Sequence, residues 1–409
     1  MNIKSGSNLI KVRKNNLEAI LGTIYQQAPI TRNEIARQLD VTLPTVTTTI
    51  RPLLETGILR EIPLPSSEGI MGRKACALDF VENAGFVIGM EWNPLGIFVC
   101  ITNLRGKILA KIRKKVTVQK ESYQNMLIYT KDVAEELLQI WKGDRTKLLG
   151  AGWATPGIVD PDQGKLVRTS MSYVNWNNEN VCGDLEKLLQ MPVCVENHVR
   201  VRAIRQDMFE RKERPEIYLY YFAQMGISCC VMSDGDPFGK GSYGIGDIGH
   251  TVMDAQGPVC QCGKRGCLQA ICGEGEIRRI AAELIEKGGA GYLKCNCEDP
   301  VSPEVHEIAA AIDQGDEDLM EAILPALQYM AVSIGSIADL LNPRLVVLDY
   351  ALFGSHRIQE FMTGEIKKNY YFVNEMDLQV EYVQADRYTG AQGACALAIG
   401  KFLIGGSVI

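Results

Sequence analysis

One histidine and three cysteines cluster in the stretch GHTVMDAQGPVCQCGKRGCLQ, residues 249–269. They are His250, Cys260, Cys262 and Cys267, in a chain that has only 4 histidines. One imidazole and three thiolates suit tetrahedral zinc, and four protein ligands leave no position open for catalysis. The alternative is a group of small buried thiols, because the chain contains 13 cysteines in all. On these residues alone, both interpretations stay open.

A second set of residues could contact nucleic acid. Thr45, Thr47, Thr48 and Arg51 lie in TLPTVTTTIRPLLETGIL, residues 42–59, at positions that the outer face of one helix would carry. Threonine hydroxyls and an arginine can bond base edges and phosphates. The first sixty residues have a net charge of +4, whereas the whole chain has −6. A basic segment on an acidic protein is typical of an attached DNA-binding module.

The elements that would position these four residues can be predicted from apolar spacing and caps. A first helix is indicated by Leu17, Ile20, Leu21 and Ile24 at helical spacing. Thr31 can begin a second helix, with Glu34 completing a capping box, and Thr42 can begin a third that Gly57 closes.

This order predicts a winged helix-turn-helix, which with its linker would occupy residues 1–74. Pro52 predicts that the third helix ends near Arg51 or bends there. The alternative for the whole segment is a small three-helix bundle that mediates dimerisation.

From residue 75 onward the pattern changes to strands. The runs FVIGMEW, GIFVCITN and KILAKI predict a three-stranded meander, followed by a long helix near residues 122–141 and the strand LLGAGWA. A similar series, IYLYYFA and GISCCVM followed by helices, comes later. This predicts two α/β lobes, residues 75–195 and 196–409, with the duplicated ribonuclease-H-like architecture of the actin and sugar-kinase superfamily. A ligand would lie in the cleft between them.

Targeting signals are not evident in the sequence. No run of eighteen apolar residues occurs, and the N-terminal residues lack the apolar stretch of a signal peptide. Cysteines in a chain without an export signal are typical of cytosolic thiols or metal ligands. We therefore expect a cytoplasmic protein with no membrane span.

Several motifs of the body together resemble the ROK family, named for repressors, open reading frames and kinases. They are GIGDIGH (244–250), CQCGKRGC (260–267), TPGIVD (155–160), PVCVEN (192–197), LLNPRLVVL (340–348) and TGAQGACALA (389–398). With its N-terminal winged helix, the chain resembles the sugar-responsive branch of the family, such as the xylose and N-acetylglucosamine repressors. The resemblance favours zinc over buried thiols at His250, Cys260, Cys262 and Cys267, in a structural role.

ROK kinases need three features that differ here. Their catalytic Asp follows the Asn that ends a strand, but in this chain His198 follows Asn197. The glycine-rich phosphate turn matches residues 223–229, which keep one glycine, and residues 91–94 replace the other phosphate turn. Residues 349–351, Asp-Tyr-Ala, stand where a Gly-Gly pair leaves room for adenosine. The resemblance therefore implies no ATP binding and no catalytic residue.

The sugar-binding positions of the family correspond to Asn197, His198, Asp247, His250 and Gln269. The family usually has acidic residues at 198 and 269, so two formal charges are missing here. The set could bind a sugar, or a phosphorylated or carboxylated sugar, since it repels anions less. The alternative is a collapsed cleft in which these side chains bond only to one another.

We therefore predict a sugar-responsive transcriptional regulator, a repressor, with a degenerate ROK body and a structural zinc. Its partners would be an operator in double-stranded DNA, a small carbohydrate and a second copy of itself, as a homodimer or higher homo-oligomer. Two alternatives stay open. One is an active sugar kinase with an appended helix-turn-helix, and the other is a DNA-binding protein that needs no ligand.

Overall fold

The computed structural model of the chain forms two compact units. Unit 1 comprises residues 1–213 together with 388–409, and unit 2 comprises residues 214–387. The residues that the structure describes are 5–64, 76–117, 121–170, 174–210, 215–224, 226–239, 244–371, 378–383 and 386–406.

Both units contain helices and strands. The helices are α1 Ser5–Gln27, α2 Arg32–Gln38, α3 Leu43–Glu55, α4 Tyr123–Trp141, α5 Val181–Leu189, α6 His198–Arg205, α7 Leu268–Cys272, α8 Glu274–Glu286, α9 Gly291–Asn296, α10 Val305–Asp313, α11 Glu317–Leu341, α12 His356–Lys368 and α13 Thr389–Ala398. The strands are β1 Ile30–Thr31, β2 Leu59–Pro63, β3 Cys76–Phe80, β4 Phe86–Asn93, β5 Gly96–Asn103, β6 Ile108–Lys114, β7 Leu148–Thr155, β8 Ile158–Asp160, β9 Lys165–Arg168, β10 Asn177–Glu179, β11 Val193–Asn197, β12 Ile217–Ala223, β13 Ile227–Ser233, β14 Asp236–Pro237, β15 Leu345–Asp349 and β16 Gln379–Tyr382.

The first three helices form a winged helix-turn-helix, as predicted. At the start of α2, the Glu34 amide donates to the Thr31 hydroxyl and the Thr31 amide donates to the Glu34 carboxylate, which is a capping box. Thr42 caps α3 by accepting from the Thr45 amide. Gly57, with a φ of 74°, follows the end of α3 in the left-handed conformation that favours glycine.

Pro52 does not end α3. The helix continues to Glu55, so an end near Arg51, the first of the two predicted outcomes, is wrong, and the second, a bend, stays a prediction. A proline removes one helix bond, and the last turn is closed by Thr56, whose amide (3.0 Å) and hydroxyl (2.9 Å) both donate to the Pro52 carbonyl. The exposed face of α3 therefore extends past Arg51.

The winged-helix sheet contains a strand that lies past the predicted domain end at residue 74. β3 pairs antiparallel with both β1 and β2, in the order β1-β3-β2. The buried core crosses the same boundary, since Ile20 and Ile50 share one cluster with Phe98 and Cys100 of β5. The winged helix and the first lobe are therefore packed as one continuous structure.

The first lobe contains a five-stranded sheet in the order β11-β7-β4-β5-β6. β4, β5 and β6 form the predicted antiparallel meander, and β7 and β11 extend the sheet in parallel. α4 packs on one face and α13 on the other. Gly89 and Gly152 let α13 approach, because a Cβ at either position would lie 1.9 Å from a carbonyl oxygen of α13.

The second lobe repeats this topology. Its sheet has the order β14-β13-β12-β15-β16, again with two antiparallel neighbours followed by two parallel ones. Its helices bury one apolar cluster against the sheet. The repeated strand order is the duplicated ribonuclease-H-like fold that the sequence predicts.

The compact units divide the body differently from the predicted boundary at residue 195. α6 and α13 both belong to unit 1, although they lie within residues 196–409. The two helices touch closely, because a Cβ at Gly393 of α13 would lie 2.5 Å from the Val201 carbonyl of α6. Small residues on α13 therefore bring this late helix back onto the first lobe.

Within the part of the chain that the structure describes, one helix, α11, is long and apolar enough to cross a membrane by length and composition alone. Half of its apolar window is buried, and residues such as Leu327 and Ile334 lie in the core cluster of unit 2. That burial is typical of a core helix.

Candidate metal, effector and DNA-binding sites

The four predicted metal ligands converge in unit 2. One ligand atom from each of His250, Cys260, Cys262 and Cys267 lies within 4.8 Å of the others. His250 Nδ1 is 3.6 Å from Cys260 Sγ, and Cys262 Sγ is 3.7 Å from Cys267 Sγ. Zinc–sulfur bonds of about 2.3 Å place two sulfur ligands of a tetrahedron about 3.8 Å apart. The four donors therefore fit a closed tetrahedral zinc site.

Two glycines shape the loop that carries these ligands. Gly266 has a φ of 70°, and a Cβ there would lie 1.5 Å from the Asp254 carbonyl oxygen. Gly263 has a φ of 88°, and its amide donates to the Cys260 carbonyl at 2.9 Å. Side chains are excluded from the first position and disfavoured at the second. The two glycines therefore permit the backbone path that places the thiols near one another.

The thiols differ in how readily they ionise. A hydrogen bond from the Lys264 backbone lowers the pKa of Cys262, the exposed thiol. Burial, reinforced by the neighbouring thiols, raises the pKa of Cys267 to about 11. Zinc binds thiolates and releases their protons, so occupancy of such a site rises with pH.

Three predicted sugar ligands lie around this loop. Asp247 precedes a short 3₁₀ turn that ends at His250, and the His250 amide is 3.3 Å from the Asp247 carbonyl oxygen. Gln269 lies in α7, and its Oε1 accepts a 2.6 Å bond from the Ile227 amide. The Ser228 hydroxyl is 3.5 Å from Asp247 Oδ1. These contacts connect Asp247 and Gln269 with the start of β13.

The other two predicted sugar ligands, Asn197 and His198, lie in unit 1, where β11 ends and α6 begins. Asn197 caps α6 by accepting from the Val199 amide at 2.8 Å, and its Nδ2 donates to the Gly157 carbonyl at 2.8 Å. Burial, reinforced by the charge of Arg202, lowers the pKa of His198 to about 3. The imidazole is therefore neutral at ordinary pH. That it replaces the carboxylate base of the kinases stays a prediction.

The five positions are thus divided between the units, with Asn197 and His198 in unit 1 and the other three in unit 2. A sugar pocket formed by all five stays a prediction.

A buried ion pair occupies the first phosphate-turn position. Glu91 of β4 accepts a 3.0 Å bond from Arg202 of α6, and their side chains are 1% and 3% exposed. The carboxylate also packs on Gly390, where a Cβ would lie 2.2 Å from Glu91 Oε1. Removing one partner of a buried pair costs about 3–5 kcal/mol. Glu91 is therefore poorly placed to bind a nucleotide phosphate or its cation.

The second phosphate-turn position is a tight hairpin, in which Ala223 of β12 pairs with Ile227 of β13. Backbone amides are the groups that such a turn offers to phosphate. Here the Ile227 amide donates to Gln269, and the Cys229 amide donates to the Gly246 carbonyl at 2.8 Å. Two of the donors are thus already used inside the protein.

The adenosine position contains an aromatic side chain. Tyr350 follows β15, is 2% exposed, and has its ring centroid 5.4 Å from that of Phe353. Asp349 is also 2% exposed and accepts a 2.7 Å bond from the Tyr220 hydroxyl. Both residues belong to the interior of unit 2.

The four residues predicted to contact DNA differ in how exposed their side chains are. Thr48 and Arg51 are exposed on α3, whereas Thr45 and Thr47 are half-buried. The Thr45 hydroxyl also bonds the Thr42 hydroxyl at 2.8 Å. Thr48 and Arg51 are therefore better placed than the other two to reach a base or phosphate.

Two further features of the winged helix were not predicted. Leu43, in the first turn of α3, is 43% exposed and offers an apolar surface that suits a thymine methyl group. α1 begins at Ser5, so the exposed basic residues Lys11, Arg13 and Lys14 lie on a helix. The early start of α1 could have been predicted from the sequence, because KVRKNN contains neither glycine nor proline.

Fold and site together define a winged-helix protein with a two-lobed body of the sugar-kinase type. The chain belongs to the ROK family, whose model matches residues 88–401. A winged helix-turn-helix DNA-binding model matches residues 14–60.

Named relatives span nearly the same length. The chain is 22% identical to the xylose repressor of Caldicellulosiruptor bescii over 94% of this chain and 95% of that protein. It is 23% identical to the DNA-binding transcriptional dual regulator NagC of Escherichia coli over 83% of this chain and 81% of that one. The crystal structure of a ROK family transcriptional regulator, a homolog of the E. coli MLC protein, superposes with a TM-score of 0.80 at 20% identity, covering 96% of this chain and 97% of that one.

Proposed function

We propose that the protein is a sugar-responsive transcriptional repressor. Its winged helix binds operator DNA through α3, and its kinase-like body senses a carbohydrate. The observation that carries this proposal is the junction of a winged helix with a ROK body whose first phosphate position holds the buried Glu91–Arg202 pair. The similarity to a xylose repressor and to NagC supports it.

We also propose that the body does not use ATP. Phosphoryl transfer needs backbone donors and a cation around the phosphates, and a base beside the sugar hydroxyl. The ion pair at Glu91, the bonded amides of Ile227 and Cys229, and the ring of Tyr350 argue against a nucleotide site. A body of this kind binds a sugar without turning it over.

The metal would have a structural part in sensing. Zinc held by the three thiols and His250 Nδ1 would fix the loop, since a structural zinc contributes directly to folding. Coordination through Nδ1 leaves the Nε2–H of the same ring as a donor. His250 can therefore serve both predicted roles, as a metal ligand and as a donor to a sugar hydroxyl.

DNA recognition through one α3 helix per chain favours a homodimer. Winged-helix proteins commonly read two half-sites that repeat one helical turn apart or a multiple of it, and a twofold dimer matches an inverted repeat. A bacterial operator as partner also favours action in the cytoplasm.

The test begins with duplexes selected from a random pool by the full-length protein. Affinity for the selected duplex is measured with and without each sugar of a panel that includes xylose, N-acetylglucosamine, glucuronate and hexose phosphates. We expect one sugar to change DNA affinity and no ATP to be consumed. Arg51→Ala should weaken binding by about 1–3 kcal/mol, whereas Arg145→Ala, an exposed arginine of the body, should not.

The alternatives predict other outcomes. Sugar-dependent ATP consumption at ordinary kinase rates of about 1–100 s⁻¹ would favour the kinase. DNA binding that no sugar changes would favour the ligand-independent protein.

A further inference from the structure

α6 begins at two proposed effector ligands, Asn197 and His198, and ends in a contact with α13. At its last residue, Arg205 Nε donates to Gln392 Oε1 at 2.5 Å. α6 also packs tightly on α13 beside Gly393. A movement of α6 therefore reaches Gln392 through a directional hydrogen bond as well as through packing.

Gln392 passes this contact to the turn between β5 and β6. Its Nε2 donates to the Gly106 carbonyl at 2.7 Å, so one amide side chain accepts from α6 and donates to the turn. The turn itself has little freedom, because Gly106 has a φ of 77° and a Cβ there would lie 2.5 Å from the Phe209 ring. The position of Gln392 therefore fixes the position of the turn.

Arg105, the preceding residue of that turn, connects it with the winged helix. Its guanidinium donates to the Tyr25 carbonyl at the end of α1 and to Asp79 of β3, each at 2.6 Å. It lies 4.9 Å from the ring centroid of Tyr25 and 5.8 Å from that of Phe80. Asp79 in turn accepts a 2.9 Å bond from Arg60 of β2. A planar guanidinium that makes two bonds and stacks on rings holds its partners in one geometry.

We propose that Arg105 and Gln392 are positioning residues that transmit the effector response from α6 to the DNA-binding domain. The Arg105 linkage is the series Arg205, Gln392, Gly106 carbonyl, Arg105, Tyr25 and Asp79, all within unit 1. This inference rests on the proposed function and adds the route of its regulation. An effector that favours one placement of α6 thereby favours one placement of the winged helix.

The test uses three full-length variants. Arg105→Ala removes the contacts with the winged helix, and Gln392→Leu breaks the linkage without touching the winged helix. Arg357→Ala is the matched control, because Arg357 in unit 2 also bonds a carbonyl (2.9 Å) and a carboxylate (2.6 Å). DNA affinity is measured on the selected duplex with and without the active sugar of the panel. Amide hydrogen exchange of α1 and β3 is followed in parallel.

We expect the sugar-induced change in DNA affinity, typically about 5–150-fold in allosteric proteins, to fall below about twofold in Arg105→Ala and Gln392→Leu and to persist in Arg357→Ala. Sugar affinity should change little in either variant. Because the two residues act in series, the double variant should lose no more than either single one. Full sugar response in Gln392→Leu would overturn the proposal while leaving the proposed function intact.

Hydrogen exchange separates failure of the linkage from failure of the function. If the wild-type protein responds to no sugar, the proposed function fails, and the exchange data still decide whether the linkage exists. Faster exchange at Tyr25 and in β3 of Gln392→Leu, but not of Arg357→Ala, supports the linkage. Unchanged exchange there overturns it.

Discussion

A histidine that stays neutral has consequences for stability as well as for chemistry. His198 has a pKa of about 3 in the folded protein, against about 6.5 in an unfolded chain. Between these two values the unfolded chain binds a proton that the folded protein excludes. The contribution of the neutral His198 to the free energy of unfolding is therefore fully present above about pH 6.5, and it falls as the pH is lowered from 6.5 towards 3.

Because the pKa of His198 is lowered by folding, the protein should lose free energy of unfolding as the pH falls, and this loss can be measured. His198→Asn removes the titrating group and keeps a polar side chain. Wild-type protein should lose up to about 2 kcal/mol more of its free energy of unfolding between pH 7 and pH 5 than the variant does. Urea unfolding at the two pH values measures the difference. His306→Asn, an exposed histidine of α10, controls for the substitution, and equal losses in wild type and His198→Asn would contradict the argument.

Residue types and spacing were sufficient to predict that His250, Cys260, Cys262 and Cys267 lie together, because these residues share one short loop. The choice of zinc over buried thiols depended on the family resemblance and stays a prediction. Spacing could not predict the Glu91–Arg202 pair, whose members are 111 positions apart and meet only when α6 lies beside β4. The same holds for the contact between Arg105 and Tyr25, which are 80 positions apart.

The metal loop contains little regular structure. Residues 250–267 contain isolated bridges rather than strands, at Val252 with Cys267 and Val259 with Arg265. Val252 and Val259 are 47% and 63% exposed, so little apolar burial holds the loop. A metal would therefore supply most of its order.

Cys262→Ser should consequently abolish stoichiometric zinc and lower the unfolding temperature by several degrees. The matched control is Cys295→Ser, since Cys295 is also exposed and lies outside the cluster. Elemental analysis of purified protein and a thermal melt measure both effects. The zinc proposal fails if the wild-type protein carries no metal, or if Cys262→Ser and Cys295→Ser keep equal amounts.

Elements with a clear apolar period were predicted well. The meander β4–β6, the helix α4 and the hairpin β12–β13 follow the sequence pattern closely. Several short strands were missed, and β3 is one of them. Its partners β1 and β2 precede it across residues 65–75, which lie outside the described residues. Strand pairing across such a distance depends on tertiary contacts that a local pattern does not contain.

At the scale of the whole molecule, the winged helix is not a detachable module. Its helices share a buried cluster with β5 and α13, and two of the three strands of its sheet lie within residues 1–74 while β3 does not. Removing residues 1–74 would leave β3 without these partners and uncover Phe80, whose ring centroid lies 5.6 Å from that of Tyr25.

Deletion of residues 1–74 should therefore destabilise the body as well as abolish DNA binding. We expect the unfolding temperature to fall by more than about 5 °C relative to the full chain, or the protein to aggregate. Arg51→Ala, an exposed change on α3, should weaken DNA binding with no loss of thermal stability. A deletion protein that melts at the wild-type temperature would contradict the shared core.

The duplicated topology could be predicted because the same strand–helix pattern occurs twice in the chain. The division into compact units could not, since it depends on which helices pack where. α13 returns to the first lobe through Gly89, Gly152 and Gly393, and glycines carry no apolar signal that a sequence pattern would register.

This return of α13 also bears on synthesis at the ribosome. The winged helix leaves the ribosome early, but the cluster that supports it stays unfinished until Ala391, Cys395 and Ala398 have been translated. Folding from the N-terminus cannot be completed in the order of synthesis. Prematurely terminated chains therefore lack part of the apolar cluster that packs against their winged helix.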